Sequence, residues 1–529
     1  MTVSPTAPAR PRRPIRRVLL IYPPIRIARE SLKFCQMPLG VSYLAGYIRS
    51  DYDVRVLDAA AEGYEHDEDD VNGFFRYGLS LDAIAERIRA YAPDAVGVSC
   101  PFSPTYPVVE EIVALVKRID PGIVTIVGGN HPTFLTAECF ARPAGAAIDF
   151  IVLSEGEERL RRLLAQLNRE RPDLEAIDGL AYRSGGKLRI QPPQTAILDV
   201  DRIPFPARDL MPMERYAQIN IPHIVFSRRR ANTSLFTGRG CPARCTFCSS
   251  TIFWGVQKQL RNRSPENVLD EIGECIARHG VEEFHIEDDN FTADVPRAKA
   301  ILRGIIERGY KIRWSAPNGL AIWTLDEELL DLMKRSGVSE IVLAFESGSQ
   351  EVLSKLMHKP LKLEHAVEKV SLVQKANIRH NAFFMIGMPG ETMAQIRETI
   401  AFVKRLKLEA ANLFAFFPLP GTEAYEVCKQ KGYIPEDFDF TQNSSTRGRI
   451  STEEFTADQI TALVNKNWTL QYLRPALHHP RVFLQRYGFL LLRPQTFIEL
   501  MRRVGRRLFT TRREKQLGMP TPLSPPSDR

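Results

Sequence analysis

Three cysteines, Cys241, Cys245 and Cys248, fall within eight positions of the run Gly238-Arg239-Gly240-Cys241-Pro242-Ala243-Arg244-Cys245-Thr246-Phe247-Cys248. Thiolates so spaced can close on one metal centre from a single loop. Structural zinc takes four protein ligands, and no fourth cysteine or histidine lies close by in sequence, so zinc would need a distant ligand. An iron–sulfur cluster held by three cysteines keeps one iron open for a further ligand. The remaining cysteines, Cys35, Cys100, Cys139, Cys275 and Cys428, are scattered and read as small buried hydrophobes. The basic residues from Arg10 to Arg17 precede only the apolar run Val18–Tyr22 before Pro23. That run is shorter than the roughly 7–15 residues of a signal-peptide core. The expected compartment is therefore the reducing cytoplasm, where clustered cysteines suggest metal or catalysis over disulfides.

The elements that must position this loop alternate. In the first half, apolar runs at Val18–Tyr22, Val54–Leu57, Ala95–Ser99, Ile123–Val127 and Phe150–Leu153 read as strands. Helical stretches lie between and after them at Leu39–Ile48, Leu81–Tyr91, Val108–Ile119, Pro132–Phe140 and Glu157–Leu167. Continuous β-branched strands separated by amphipathic helices predict a parallel sheet covered on both faces. Ligands then bind beyond the carboxyl ends of the strands. Asp58, Ser99, Ser103, Gly128, Gly129, His131, Thr133, Glu155 and Gly156 stand at or near those ends. No G-x-G-x-x-G follows the first strand, which argues against a dinucleotide.

After the cysteines the alternation resumes. Thr233–Thr237, Glu283–Asp288, Ile312–Ser315, Glu340–Phe345, Ala382–Ile386 and Leu413–Phe417 predict six strands, with helices near Ser264-Pro265, Pro296–Arg308, Asp326–Arg335, Leu363–Ala376 and Met393–Lys407. Six strand–helix units predict a partial barrel with its chemistry at the carboxyl ends of the strands. Asn318, Glu346-Ser347 and Gly387-x-Pro389-Gly390 lie there. A carboxylate such as Glu346 can equally serve as a helix cap or barrel rim.

The C-x-x-x-C-x-x-C spacing, with Phe247 before the last cysteine, resembles the radical S-adenosylmethionine (SAM) superfamily. The segments Gly128-Gly129-x-His131-x-Thr133 and Ser154-Glu155-Gly156-Glu157 resemble its branch with a preceding cobalamin-binding domain. This resemblance implies an α/β architecture: a Rossmann-like cobalamin-binding domain, a partial (βα)6 radical SAM barrel and a helical C-terminal extension. It also implies a [4Fe-4S] cluster on Cys241, Cys245 and Cys248, with SAM and cobalamin as the other cofactors. Glu346 and Ser347 would contact SAM, the turn Gly387-x-Pro389-Gly390 would back its adenine, and Asn318 and Phe247 would lie nearby. Other cobalamin proteins carry Asp-x-His-x-x-Gly, whose histidine ligates cobalt; here Asp58-x-Ala60-x-x-Gly63 has alanine instead. Cobalt would lack that ligand, although Asp58 and Gly63 also suit an ordinary turn and His131 a polar loop. The implied activity generates a 5′-deoxyadenosyl radical and methylates carbon or phosphorus of a small molecule, lipid or peptide. The same branch includes cyclases and ring-rearranging or oxidising enzymes without net methyl transfer; the alternative from another class is a non-catalytic cobalamin or redox sensor, which would have no need of SAM-facing residues on several barrel strands. An external electron donor of flavodoxin or ferredoxin type would supply electrons.

Composition fits this frame. Of 529 residues, 44% are hydrophobic and 25% charged, as in globular proteins. The formal net charge of +8 is concentrated in the N-terminal arm and the last fifty or so residues. No recognisable RNA-binding module accompanies it. The expected divisions are a basic arm (1–14), a cobalamin-binding domain (15–170), a linker (171–226), the barrel (227–450) and a basic helical extension (451–529). In that extension, 494–509 predicts an amphipathic helix that either caps the barrel or rests on an anionic membrane face.

Overall fold

The computed structural model describes residues 13–478 except 30, 224–228, 230, 255–259 and 407. The basic arm up to residue 12 and the segment 494–509 lie outside the described residues.

Among the described residues, ten strands make up the first half: β1 (Arg17–Tyr22), β2 (Ile25–Ala28), β3 (Asp53–Asp58), β4 (Asp67–Asp69), β5 (Phe74–Tyr77), β6 (Ala95–Ser99), β7 (Val124–Gly128), β8 (Phe150–Val152), β9 (Leu180–Ser184) and β10 (Lys187–Gln191). Seven form one sheet in the order β10-β9-β8-β7-β6-β1-β3. Its five expected strands, β3, β1, β6, β7 and β8, pair in parallel. The chain builds outward from β1 first to β3, then to β6 on the other side. This reversal opens a crevice between β1 and β6, the usual ligand position in such sheets. Apolar side chains fill both faces: Leu20, Ile126 and Val152 on one, Leu19, Val98 and Val127 on the other.

The hairpin β9–β10 extends this sheet antiparallel from β8, within the stretch assigned from sequence to a linker. Its two-residue turn is Gly185-Gly186, with φ of +56° and +75°. Both residues are in the left-handed region that a tight hairpin demands and glycine permits. The helix expected over Pro132–Phe140 is two helices, Asn130–Phe134 and Thr136–Ala141, broken at Leu135 (φ −122°, ψ 38°). A small antiparallel sheet, β2-β5-β4, stands beside the main one.

The second half carries β11 (Asn232–Leu235), β12 (Gly238–Arg239), β13 (Arg261–Asn262), β14 (Glu283–Ile286), β15 (Arg313–Leu320), β16 (Val338–Glu346), β17 (His380–Ile386) and β18 (Ala410–Ala415). Six of these make the parallel partial barrel β11-β14-β15-β16-β17-β18. The third strand runs five residues beyond its expected end at Ser315, with a register break between Ala316 and Leu320; Pro317, in that break, has no N–H to offer the ladder. The helix Ala457–His478 packs along β18, covering the barrel's last edge. Cys35, Cys100, Cys139, Cys275 and Cys428 are all buried, as expected. Among the described residues no helix is long and apolar enough to cross a membrane.

Candidate active site between two cofactor walls

The cysteine loop leaves β12 and is pinned by its backbone. The Thr246 amide donates to the Met357 carbonyl (3.1 Å) and its hydroxyl to the Leu356 carbonyl (2.6 Å), while the Ala424 amide donates back to the Thr246 carbonyl (3.0 Å). Burial pushes all three thiols above their ordinary range, Cys245 to about 12 although the neighbouring Lys359 works against it. As free thiols they are protonated and poor nucleophiles. A bound cation is what would convert them to thiolates, so this donor set fits a metal cluster better than covalent catalysis. Among the described residues, no group of three His, Cys, Asp or Glu side chains is placed to hold a single metal ion.

Behind the loop lies a buried cation. Lys359 Nζ reaches Glu346 Oε1 at 3.2 Å. Burial works against the Lys359 charge, but Glu346 and Cys245 outweigh it and hold the amine above its ordinary value. Glu346 ends β16 with φ of +68°, a left-handed conformation unusual for a residue with a side chain. Ser347 is fully buried; its hydroxyl meets Thr399 Oγ1 at 3.0 Å and accepts from the Ser349 amide at 3.1 Å. In the Gly387-x-Pro389-Gly390 turn, the Gly387 and Met388 amides donate to Glu391 Oε2 at 2.7 and 3.0 Å. Burial raises that carboxyl to about 7, and its Oε1 has no partner among the described residues.

A cavity of about 920 Å3 joins the two halves of the chain. One wall is the carboxyl end of the first sheet: Tyr22, Ser99, Gly128, Gly129, Glu155 and Gly156 line it. The opposite wall is the barrel lumen, with Ser234, His285, Glu287, Ser315 and Asn318. Ser249 and Ser250, next to Cys248, line it as well.

The structure thus brings Ser99, Gly128, Gly129, Glu155, Gly156 and Asn318 to one space. The other expected residues do not line it. Asp58 accepts from the Ala61 amide (2.9 Å) and the Tyr216 hydroxyl (2.5 Å) and caps the short helix Ala59–Glu62. Ala60 is in the core. His131 is buried against Tyr106, ring centroids 4.2 Å apart, and burial lowers it to about 3. The Thr133 hydroxyl bridges the Gly129 carbonyl (2.7 Å) and the Ser154 amide (3.0 Å). Ser103 opens a short 3-10 turn, Ser103–Thr105. Phe247 packs against the barrel core. Glu346, Ser347, Gly387, Pro389 and Gly390 are likewise outside the cavity lining.

Glu155 lines the cavity, but its carboxylate is engaged. Arg239 Nη1 meets Glu155 Oε1 at 2.6 Å, Arg239 Nη2 meets Glu157 Oε1 at 2.5 Å, and Arg261 Nη1 meets Glu155 Oε2 at 2.8 Å. All four residues are buried. Burial raises the Glu157 carboxyl, yet Arg239 outweighs it and holds it below its ordinary range. This seam ties the fifth parallel strand's loop to the residue two before Cys241. Sequence reasoning missed Arg239 and Arg261, and it missed His223, His285 and Ser315. Glu283, His285 and Glu287 alternate at every second position, so one face of β14 is polar. That alternation, in a strand expected to be buried, was the available signal.

Comparison with known proteins follows the same division. Residues 25–164 match the B12 binding domain model and residues 235–403 that of the Radical SAM superfamily. The chain is 35% identical over 455 residues to cytidylyl-2-hydroxyethylphosphonate methyltransferase of Streptomyces wedmorensis, covering 80% of this chain and 83% of that one. The chain belongs to the cobalamin-binding branch of the radical SAM superfamily. This radical SAM enzyme is also 28% identical over 429 residues to the anaerobic magnesium-protoporphyrin IX monomethyl ester cyclase of Rubrivivax gelatinosus, covering 80% and 71% of the two chains. In fold it matches the radical SAM methyltransferase TsrM of Kitasatospora setae, solved with cobalamin and a [4Fe-4S] cluster bound. That match has a TM-score of 0.62 at 20% identity and covers 79% of each chain. A [4Fe-4S] cluster, SAM and cobalamin are therefore the cofactors, and the enzyme works with an external reductant and a substrate.

Proposed function

We propose that this radical SAM enzyme methylates an unactivated carbon of a small molecule, and that the cavity joining the first sheet to the barrel lumen is where the substrate meets both cofactors. The continuity of that cavity carries the reading: a space lined by Gly128 and Gly129 on one side and by His285 and Asn318 on the other lets one substrate face both walls. When bound, the cluster with SAM supplies a hydrogen-abstracting 5′-deoxyadenosyl radical, and cobalamin supplies the methyl group.

The chain's own residues bind, orient and exclude water. Cys241, Cys245 and Cys248 hold the cluster. Glu346, Ser347 and the Gly387-x-Pro389-Gly390 turn, together with Phe247 and Asn318, form the SAM side. Ser99, Gly128, Gly129 and Gly156 form the corrin cradle; Asp58, Ser103, His131 and Thr133 stand behind it as support. The Arg239–Glu155–Arg261 seam holds the two sides in register. The electron donor is of flavodoxin or ferredoxin type and the setting cytoplasmic. The basic segment 494–509 either caps the barrel or rests on an anionic membrane face.

Turnover with SAM carrying a deuterated methyl group tests this. The product is expected to gain the intact labelled methyl group while 5′-deoxyadenosine accumulates. An unlabelled product with stoichiometric 5′-deoxyadenosine would replace methyl transfer with the cyclase or oxidation reading, which the 28% identical cyclase favours.

A further inference from the structure

One group on the cavity wall is built to bond something the chain does not provide. His285 is 5% exposed, sits on β14 and lines the cavity. Its Nδ1 shares a hydrogen bond with Ser315 Oγ at 2.9 Å, while its Nε2 has no partner among the described residues. A buried polar atom without a partner is costly in a folded protein unless water or a ligand completes it.

The surroundings narrow the ligand's chemistry. Burial, and then the neighbouring His223 ring 5.5 Å away, lower His285 to about 3, so the imidazole is neutral at physiological pH. A neutral ring offers no charge to a phosphate or carboxylate. Glu287, two positions along the same face, adds repulsion: its Oε1 meets His223 Nε2 at 2.6 Å and accepts from the Ser234 hydroxyl at 3.1 Å. Asn318 Nδ2 donates to the Glu287 carbonyl at 2.7 Å, so that amide is partly occupied too. The ligand group is therefore not an anion. If Nδ1 carries the ring proton, Nε2 accepts; if Ser315 donates to Nδ1, Nε2 donates. A hydroxyl satisfies either tautomer with a single oxygen.

We propose that His285 is a specificity-determining residue that holds the substrate by an uncharged hydroxyl in the barrel lumen, through its Nε2, which has no hydrogen-bond partner among the described residues. The proposal rests on the methyl-transfer reading above and adds an orientation to it. The hydroxyl-bearing arm enters the lumen, and any anionic end stays away from Glu287.

The probe is cytidylyl-2-hydroxyethylphosphonate, the compound in the name of the 35% identical relative, with an analogue in which hydrogen replaces the 2-hydroxyl. Calorimetric titration into the reconstituted, unreduced enzyme reads binding apart from turnover. The hydroxyl compound should bind at least about tenfold tighter than the analogue, the range expected for one buried hydrogen bond. His285→Asn keeps an amide where Nδ1 meets Ser315 and should erase that preference. His285→Gln places its amide near Nε2 and should restore most of it. Equal binding of both compounds by the wild-type enzyme, with labelled methyl still transferred, overturns the His285 assignment and leaves the methyl-transfer reading standing. A preference kept by His285→Asn overturns it as well. Failure of the wild-type enzyme to bind either compound overturns the assignment together with the substrate class. The wild-type comparison needs no variant to fold.

Discussion

The seam and the lumen border the same cavity and treat their polar groups in opposite ways. At the seam, Arg239 and Arg261 face Glu155 and Glu157, and each carboxylate has a guanidinium within 2.8 Å. In the lumen, His285 Nε2 has no partner among the described residues. Both regions are buried, so solvent does not explain the difference. Matched buried charges lock a geometry, because removing one partner strands the other. An unmatched buried atom keeps an interaction in reserve. The seam therefore positions, and the lumen recognises.

The largest test asks whether the seam positions anything that reacts. Replacing Cys241, Cys245 and Cys248 together with alanine should abolish iron binding and SAM cleavage while the seam stays intact; iron analysis and 5′-deoxyadenosine assay read both. Stoichiometric zinc in the wild-type protein, with no iron on reconstitution, would remove the seam's purpose.

The next test breaks the seam itself. Arg239→Met leaves Glu157 buried without its partner and should cost about 3–5 kcal/mol of unfolding free energy, measured by denaturant titration of the apoprotein. Because the folded Glu157 carboxyl titrates below its ordinary range, its contribution is complete above the unfolded pKa and is lost as pH falls through the lower folded one. Glu157→Gln should accordingly flatten the acid side of the stability profile. An unchanged profile would mean that the seam matches charges without using them.

The smallest effect concerns the corrin side. Electron paramagnetic resonance of the cob(II)alamin form should show no nitrogen superhyperfine splitting from an axial histidine. Installing the missing histidine should not create one: Ala60 is core, 2% exposed, and Ala60→His should instead cost about 1–3 kcal/mol through overpacking. Nitrogen splitting in either protein would place a ligand where the structure puts a helix.

Much of this was legible in the residues. Continuous apolar runs marked the five parallel strands of the first sheet, because a strand buried on both faces has little choice of residue, and the repeated strand–helix alternation marked the six of the barrel. The three cysteines were legible because all of them lie within one short loop. Glu155 was legible as an important position, but its ion pairs were not: its partners lie 84 and 106 residues away, and pairing over that distance leaves no mark on spacing. The hairpin β9–β10 was obscured by the prolines that follow it, although Gly185-Gly186 announced its turn. His285 was overlooked because a single histidine in a strand has no motif; only its alternation with Glu283 and Glu287 gives the lumen face away.

The seam also sets where this protein can be cut and recombined. Its acids belong to the first domain and its bases to the second, so a hybrid joined anywhere between Glu157 and Arg239 inherits one half of the lock from each parent. Domain exchange among relatives should keep the lock only where both parents carry the same pairing. Glu155, Glu157, Arg239 and Arg261 are thereby a single heritable unit spread across two modules, and drift at one must be answered at another.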